Sequence, residues 1–310
     1  AKMKILDQEG KVVEEWVSKK EAHVVYALAP GEYILHEEQA PTEQGYVRAE
    51  DVKFVVEETG DVQKVKMEDD HTKVSISKTD ITDGKEIEGA KLQILDQDGE
   101  VVESWTTGEE HLIEYLPVGT YTLHEEAAVD GYIVANDVEF TVEETGEIQK
   151  VKMEDERAMG QLVIVKTDTD SKAALEGVEF VLLEKETGKE VGRLKTGKDG
   201  KAVSELLPIG TYENGVFKEP ITYVLKETAT LKGYEKTEEE WEIVFTYQND
   251  KTPVIEVVKE IQNKKIPETP GTVKPGPKTG DDTNWFLPLL ALGVSAGMVA
   301  GLLYYRKRHK

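Results

Sequence analysis

Three short stretches of this sequence aim ionisable side chains at what should be an apolar interior. In "KVSISKTD" (73–80) strict alternation puts Val74 and Ile76 on one face of a strand, and the next residue on that face is Lys78. The same parity groups Tyr121, Leu123 and Glu125 in "YTLHE", and Val151, Met153 and Asp155 in "VKMED". A lysine, a glutamate and an aspartate therefore all point inward, where a charge is costly to bury. The pattern recurs downstream, with Lys166 behind Leu162 and Ile164, Glu227 behind Tyr223 and Leu225, and Asn263 behind Ile261. An earlier stretch carries Glu37 and Asp69 with no lysine to match.

Two ordinary readings compete for each residue alone: a strand-end side chain escaping to water, or a buried ion pair. Coincidence of three such groups in two diverged segments favours a third reading, because unpaired buried charges are rarely tolerated. In an apolar core, desolvation should lower the lysine pKa and raise the glutamate pKa until both are neutral. A neutral amine is a nucleophile. Lys78 is then expected to attack the side-chain carbonyl carbon of Asp155 while protonated Glu125 hydrogen-bonds the carbonyl oxygen and relays protons, with loss of water. Lys166 would join Asn263 with help from Glu227 and loss of ammonia. Such a reaction happens once per site, so no enzyme is expected. Nor do other motifs suggest one: "DQDG" (96–99) lacks the remaining calcium ligands and reads as a hairpin turn. "KTGKDGK" (195–201) lacks the spacing of a phosphate loop. The histidines have no metal-ligand spacing, there is no Ser/His/Asp set, and no metal or cofactor is expected.

The elements that must position these residues come in repeats. "KILDQEGKVVEEW" (4–16) returns as "QILDQDGEVVESW" (93–105), and "DVKFVVEETGDVQKVKMED" (51–69) as "DVEFTVEETGEIQKVKMED" (137–155). Ala1 aligns with Ala90, so the first copy begins partway through and lacks the lysine strand. A diverged third copy carries "LVIVKTD", "LEGVEFVLLEKETGKEV" and "YVLKETATLKGY", plus an extra loop between Tyr212 and Tyr223. Short alternating runs separated by turn signals predict an all-β chain of tandem antiparallel β-sandwich domains, of immunoglobulin-like or prealbumin-like type. The expected divisions are 1–70 (truncated), 71–156 and 160–266. A Pro/Gly-rich flexible linker (267–276) and a C-terminal segment (277–310) follow.

The chain of 310 residues carries 62 acidic against 38 basic side chains, a net charge of -24, which argues against a nucleic-acid partner. It has no cysteine, so disulfides and thiolate chemistry are excluded. Residues 285–305 are uncharged and precede a basic cluster, which predicts one transmembrane helix with its basic end in the cytoplasm. The first residues form no apolar leader, so the sequence is expected to be a piece of a longer exported protein.

At the lysine strand ending in Lys-Thr-Asp, the glutamate-bearing "YTLHEEAAVDGY" and "YVLKETATLKGY", and the strands ending in Asp155 or Asn263, the chain resembles the collagen-adhesin B-type (Cna-B, prealbumin-like) repeats of Gram-positive surface proteins and pilins. The resemblance implies autocatalytic isopeptide bonds between Lys78 and Asp155 and between Lys166 and Asn263, promoted by Glu125 and Glu227. It also implies that the joined strands are the first and last of each domain. In the first repeat Glu37 and Asp69 stay unpaired. The tail resembles a sortase (LPxTG-like) sorting signal at Pro277, Lys278, Thr279 and Gly280, with Gly276 where the family has leucine. Sortase would cut between Thr279 and Gly280 and pass Thr279 to peptidoglycan or a pilus subunit. The function implied is an extracellular, cell-wall-anchored stalk displaying an N-terminal binding region. The alternatives are a sortase-polymerised pilin and an adhesin module that itself binds a host matrix protein or other ligand. The membrane would be a partner only before sorting.

Overall fold

The computed structural model describes residues 1–267. The expected linker beyond Pro267, the motif at 277–280 and the span at 285–305 lie outside the described residues. Among those residues the chain is all β, with one 3-10 turn, Thr42–Gln44, and no helix long and apolar enough to cross a membrane.

In the second repeat two four-stranded sheets face each other. One contains His111–Glu114, the lysine strand Lys73–Asp80, the closing strand Ile148–Arg157 and the short Tyr132–Ile133. The other contains Val138–Val142, the glutamate strand Gly119–Ala127, Lys91–Leu95 and Val101–Thr106. Val74, Ile76 and Met153 from the first sheet meet Leu92, Ile94 and Leu123 from the second, and all six are buried. The alternation seen in the sequence is what lets each strand present these side chains inward while most of its charged residues stay in water. "DQDG" closes a hairpin, with the Asp96 carboxylate accepting from the N–H groups of Asp98 and Glu100.

The third repeat follows the same plan. Met159–Asp168 is its lysine strand, Thr222–Ala229 its glutamate strand and Val254–Asn263 its closing strand. Its core runs from Leu162 and Ile164 to Leu182, Leu225, Ile243 and Phe245. Only Ala158 separates the closing strand of the second repeat from the lysine strand of the third.

One expectation needs correcting. The sandwiches are not wholly antiparallel: lysine strand and closing strand run parallel in both complete repeats. Side-chain parity is blind to strand direction. A first and a last strand of one sheet point the same way when the chain between them crosses to the other sheet and back.

The first repeat has a single four-stranded sheet in the order Val12–Val17, Lys2–Leu6, Gly31–Gln39, Val52–Val56. Its buried core is limited to Met3, Ile5 and Leu35. Over it lies an open groove of about 950 Å3 lined by Trp16, Val25, Leu28 and Phe54 among others. Residues 65–69, which match the closing strand of the second repeat, pair with no strand among the described residues.

Candidate crosslinking centres

Lys78 reaches the centre of its sandwich because the lysine strand and the closing strand share a fixed register. Met153 lies opposite Lys78 and Asp155 opposite Asp80, so Asp155 sits two residues farther along the same inward face. A lysine stem leaning along the strand spans that offset, and the Lys78 amine touches Asp155 Oδ1. From the facing sheet, Glu125 Oε2 stands 2.9 Å from the Lys78 nitrogen. The Ala135 N–H donates to that same oxygen at 2.6 Å and holds the glutamate in place. All three side chains are at most 2% exposed. The third repeat reproduces the register, with Ile261 opposite Lys166 and Asn263 opposite Asp168. There the Lys166 amine touches Asn263 Oδ1. The structure thus brings each predicted trio together from three separate strands.

The glutamate position adds what the sequence could not supply. Glu227 Oε2 is 3.0 Å from the Lys166 nitrogen, while its Oε1 accepts from the Asn263 Nδ2 amide at 2.7 Å. One carboxylate therefore bridges the nucleophile and the group that would leave. Asn263 Nδ2 also donates to Thr230 Oγ1 at 2.7 Å, which fixes the amide orientation. In the second repeat Glu125 Oε1 and Asp155 Oδ2 are buried without a donor of their own.

The electrostatics suit acyl transfer. Burial, helped by neighbouring Glu125, pushes the Asp155 carboxyl up to about 7 against the pull of the Lys78 ammonium. Burial lowers the Lys166 amine although Glu227 opposes the shift. A raised acid in the second repeat and a lowered amine in the third each move toward the neutral form that amide formation uses.

The Asp155 shift makes a prediction for an unlinked variant. In Lys78→Met the ammonium that lowers Asp155 is gone, so its folded-state pKa stays at or above about 7. Below the unfolded value both states hold the proton and the stability it supports is fully present. As pH rises toward the folded value the native state binds more protons than the unfolded chain, and stability falls. The expected slope approaches about 1.4 kcal/mol per pH unit across that window. Denaturant unfolding at a series of pH values checks it, and a flat or rising profile contradicts it.

Sequence reading missed a second layer beside the Lys78 centre. Asp80 is fully buried, accepts from the Tyr132 hydroxyl at 2.8 Å and from Arg157 Nε at 2.6 Å, and these bonds outweigh burial to hold its carboxyl below the usual range. The third repeat has Tyr234 beside Asp168 in the same roles. The signal was present as Lys-Thr-Asp and Gly-Tyr recurring in both repeats. In the first repeat Glu37 is buried, with Oε2 accepting from the Ala49 N–H at 2.7 Å and Oε1 without a donor. Asp69 is half-buried, and burial raises both carboxyls.

Tandem β-sandwich repeats with these polar trios in their cores define a modular structural protein of the prealbumin-like class. Residues 1–71, 72–157 and 160–220 each match the family model of the SpaA prealbumin-like fold domain, and the chain belongs to that family. No curated protein matches it. Among solved structures it is similar to the Bacillus anthracis TIE protein, at 28% identity and a TM-score of 0.55 over 85% of this chain and 48% of that one. The chain therefore spans about half the length of that protein. A Streptococcal ancillary pilin matches at 19% identity and a TM-score of 0.30, covering 78% of this chain and 77% of the other. The shaft pilin SpaA from Lactobacillus rhamnosus GG matches at 15% and 0.27, covering 64% and 99%.

Proposed function

We propose that this chain is a load-bearing stalk of a Gram-positive surface protein, with domains at 1–70, 71–156 and 160–266. Two of them are riveted internally by isopeptide bonds from Lys78 to Asp155 and from Lys166 to Asn263. The observation that carries the reading is the contact between amine and acyl group across the parallel first and last strands, repeated in the same register in both repeats. In the third repeat Glu227 takes a proton from the amine through Oε2 and delivers one to the departing nitrogen through Oε1. In the second, Asp155 leaves its hydroxyl as water with Glu125 as the relay. Each reaction replaces buried ionisable groups by a neutral amide.

Strand direction turns the bond into a mechanical device. Tension enters a repeat at the start of its lysine strand and leaves at the end of its closing strand, so the parallel pair is loaded in shear. With the link in place, the load passes from Lys78 directly to Asp155, and residues 79 to 154 carry none. Beyond the described residues, the expected motif at 277–280 would hand the stalk to sortase after membrane insertion through 285–305. Thr279 would then be joined to peptidoglycan or to a pilus subunit. An adhesive region for host ligands belongs to whatever part of the full-length protein the stalk displays.

Pulling the chain from its ends tests this function. The wild-type second repeat is expected to release no length before the tether breaks, whereas Glu125→Ala should release roughly 250 Å, the span of its freed residues at about 3.3–3.6 Å each. Release of that length by the wild type would overturn the reading.

A further inference from the structure

The hairpin of Gly210–Glu213 and Val216–Pro220 occupies the extra loop of the third repeat, and the crosslink of that repeat makes no use of it. Its tip is Asn214-Gly215, both with positive φ, as a two-residue turn requires. The hairpin packs on the second repeat. The Tyr212 hydroxyl donates to the Gly131 carbonyl at 2.8 Å, and its ring meets Tyr132 edge-on at 5.2 Å. The Arg157 guanidinium lies over the Tyr212 ring, 4.1 Å from its centre. Gly131 has no room for a side chain, since a Cβ there would lie 2.8 Å from Phe217. From the same repeat Tyr247 donates to the Tyr132 carbonyl at 2.9 Å.

These contacts fall on the end of the second repeat that holds its crosslinking centre. Tyr132 and Arg157 both donate to Asp80, the register partner of Asp155, and Arg157 lies two residues beyond Asp155 on the closing strand. The chain contains its own comparison. Tyr132 is fully buried beneath the hairpin, whereas Tyr234, its equivalent in the third repeat, is only half-buried.

We infer that the hairpin of the third repeat is the lid of the crosslinking centre in the second, with Tyr212 acting as a positioning residue through Arg157 and Tyr132. The inference rests on the crosslink reading above. In the step it serves, the Lys78 nitrogen forms a bond to the Asp155 side-chain carbon. The bond from that carbon to the hydroxyl breaks, and the hydroxyl leaves as water with a proton relayed by Glu125. Nothing is oxidised or reduced. Exclusion of water keeps Asp155 protonated for this step. Linking in the second repeat therefore waits until the third has folded and docked, so that the joint between them is set before the second rivet closes. Linking in the third repeat has no such dependence.

The test uses the full chain made by cell-free synthesis, quenched in acid at intervals and followed by mass spectrometry for loss of water and of ammonia. Tyr212→Ala is expected to slow water loss by about tenfold or more, one pKa unit of lost desolvation being a factor of ten, while ammonia loss keeps the wild-type rate. Tyr212→Phe, which keeps the ring over Arg157, should restore water loss. Equal water loss in wild type and Tyr212→Ala overturns the lid and leaves the crosslink reading standing. A wild type that loses neither molecule overturns the crosslink reading itself. Should Tyr212→Ala slow ammonia loss as well, the ratio decides: water loss slowed more than ammonia loss supports the lid, and equal slowing of the two overturns it.

Discussion

Replacing Lys166 by alanine is expected to unfold most of the third repeat under conditions where the wild type is fully native. Two losses combine. The link closes a loop of almost a hundred residues, and by analogy with a disulfide its removal costs about 4 to 5 kcal/mol. The variant also deletes the fully buried lysine stem, and large-to-small changes in a core cost about 2 to 5 kcal/mol. Their sum matches the whole stability of an ordinary domain. Limited proteolysis and thermal unfolding of the full chain check this outcome: cleavage should begin in 160–266. A third repeat that melts within a few degrees of the wild type would contradict it.

The second large effect is kinetic. Glu227→Ala leaves Lys166 and Asn263 in contact but removes the carboxylate that bridges amine and leaving group. Positioned proton relays of this kind contribute about 10²- to 10⁴-fold to rate. The variant is expected to fold and to remain unlinked on the timescale of purification, keeping the ammonia that the wild type loses. Glu125→Ala should likewise keep the water of the second repeat. The two repeats can be blocked independently because each centre draws its three groups from its own strands. Linking at the wild-type rate in either variant would remove the glutamate from the mechanism. Set beside Lys166→Ala, these variants separate the stability of the covalent link from the cost of deleting the buried lysine stem.

Much of the site was legible because a strand reports its facing side directly through parity. Lys78, Glu125 and Asp155 each followed two apolar residues of the same face, and the third repeat shows the pattern again with Lys166, Glu227 and Asn263. Parity ends at the edge of a strand. It could not show that lysine and closing strands run parallel, which depends on how the chain crosses between sheets. It could not show which carboxyl burial raises, since Asp155 owes its shift to the depth of the site and to its neighbours. Asp80 has the same parity as Lys78 and reads as another strand-end acid until Tyr132 and Arg157 are brought onto it. The extra loop of the third repeat was visible as an insertion, but its contact with Gly131 joins residues far apart in sequence that no local pattern links.

The central claim is that two lysines are consumed in amide bonds, and the intact mass of the folded full chain tests it most directly. The account predicts a mass below that of the sequence by one water and one ammonia. After proteolysis, Lys78 and Asp155 should appear in one branched peptide, and Lys166 and Asn263 in another. A folded chain at its full sequence mass, with all four residues on separate linear peptides, would contradict it.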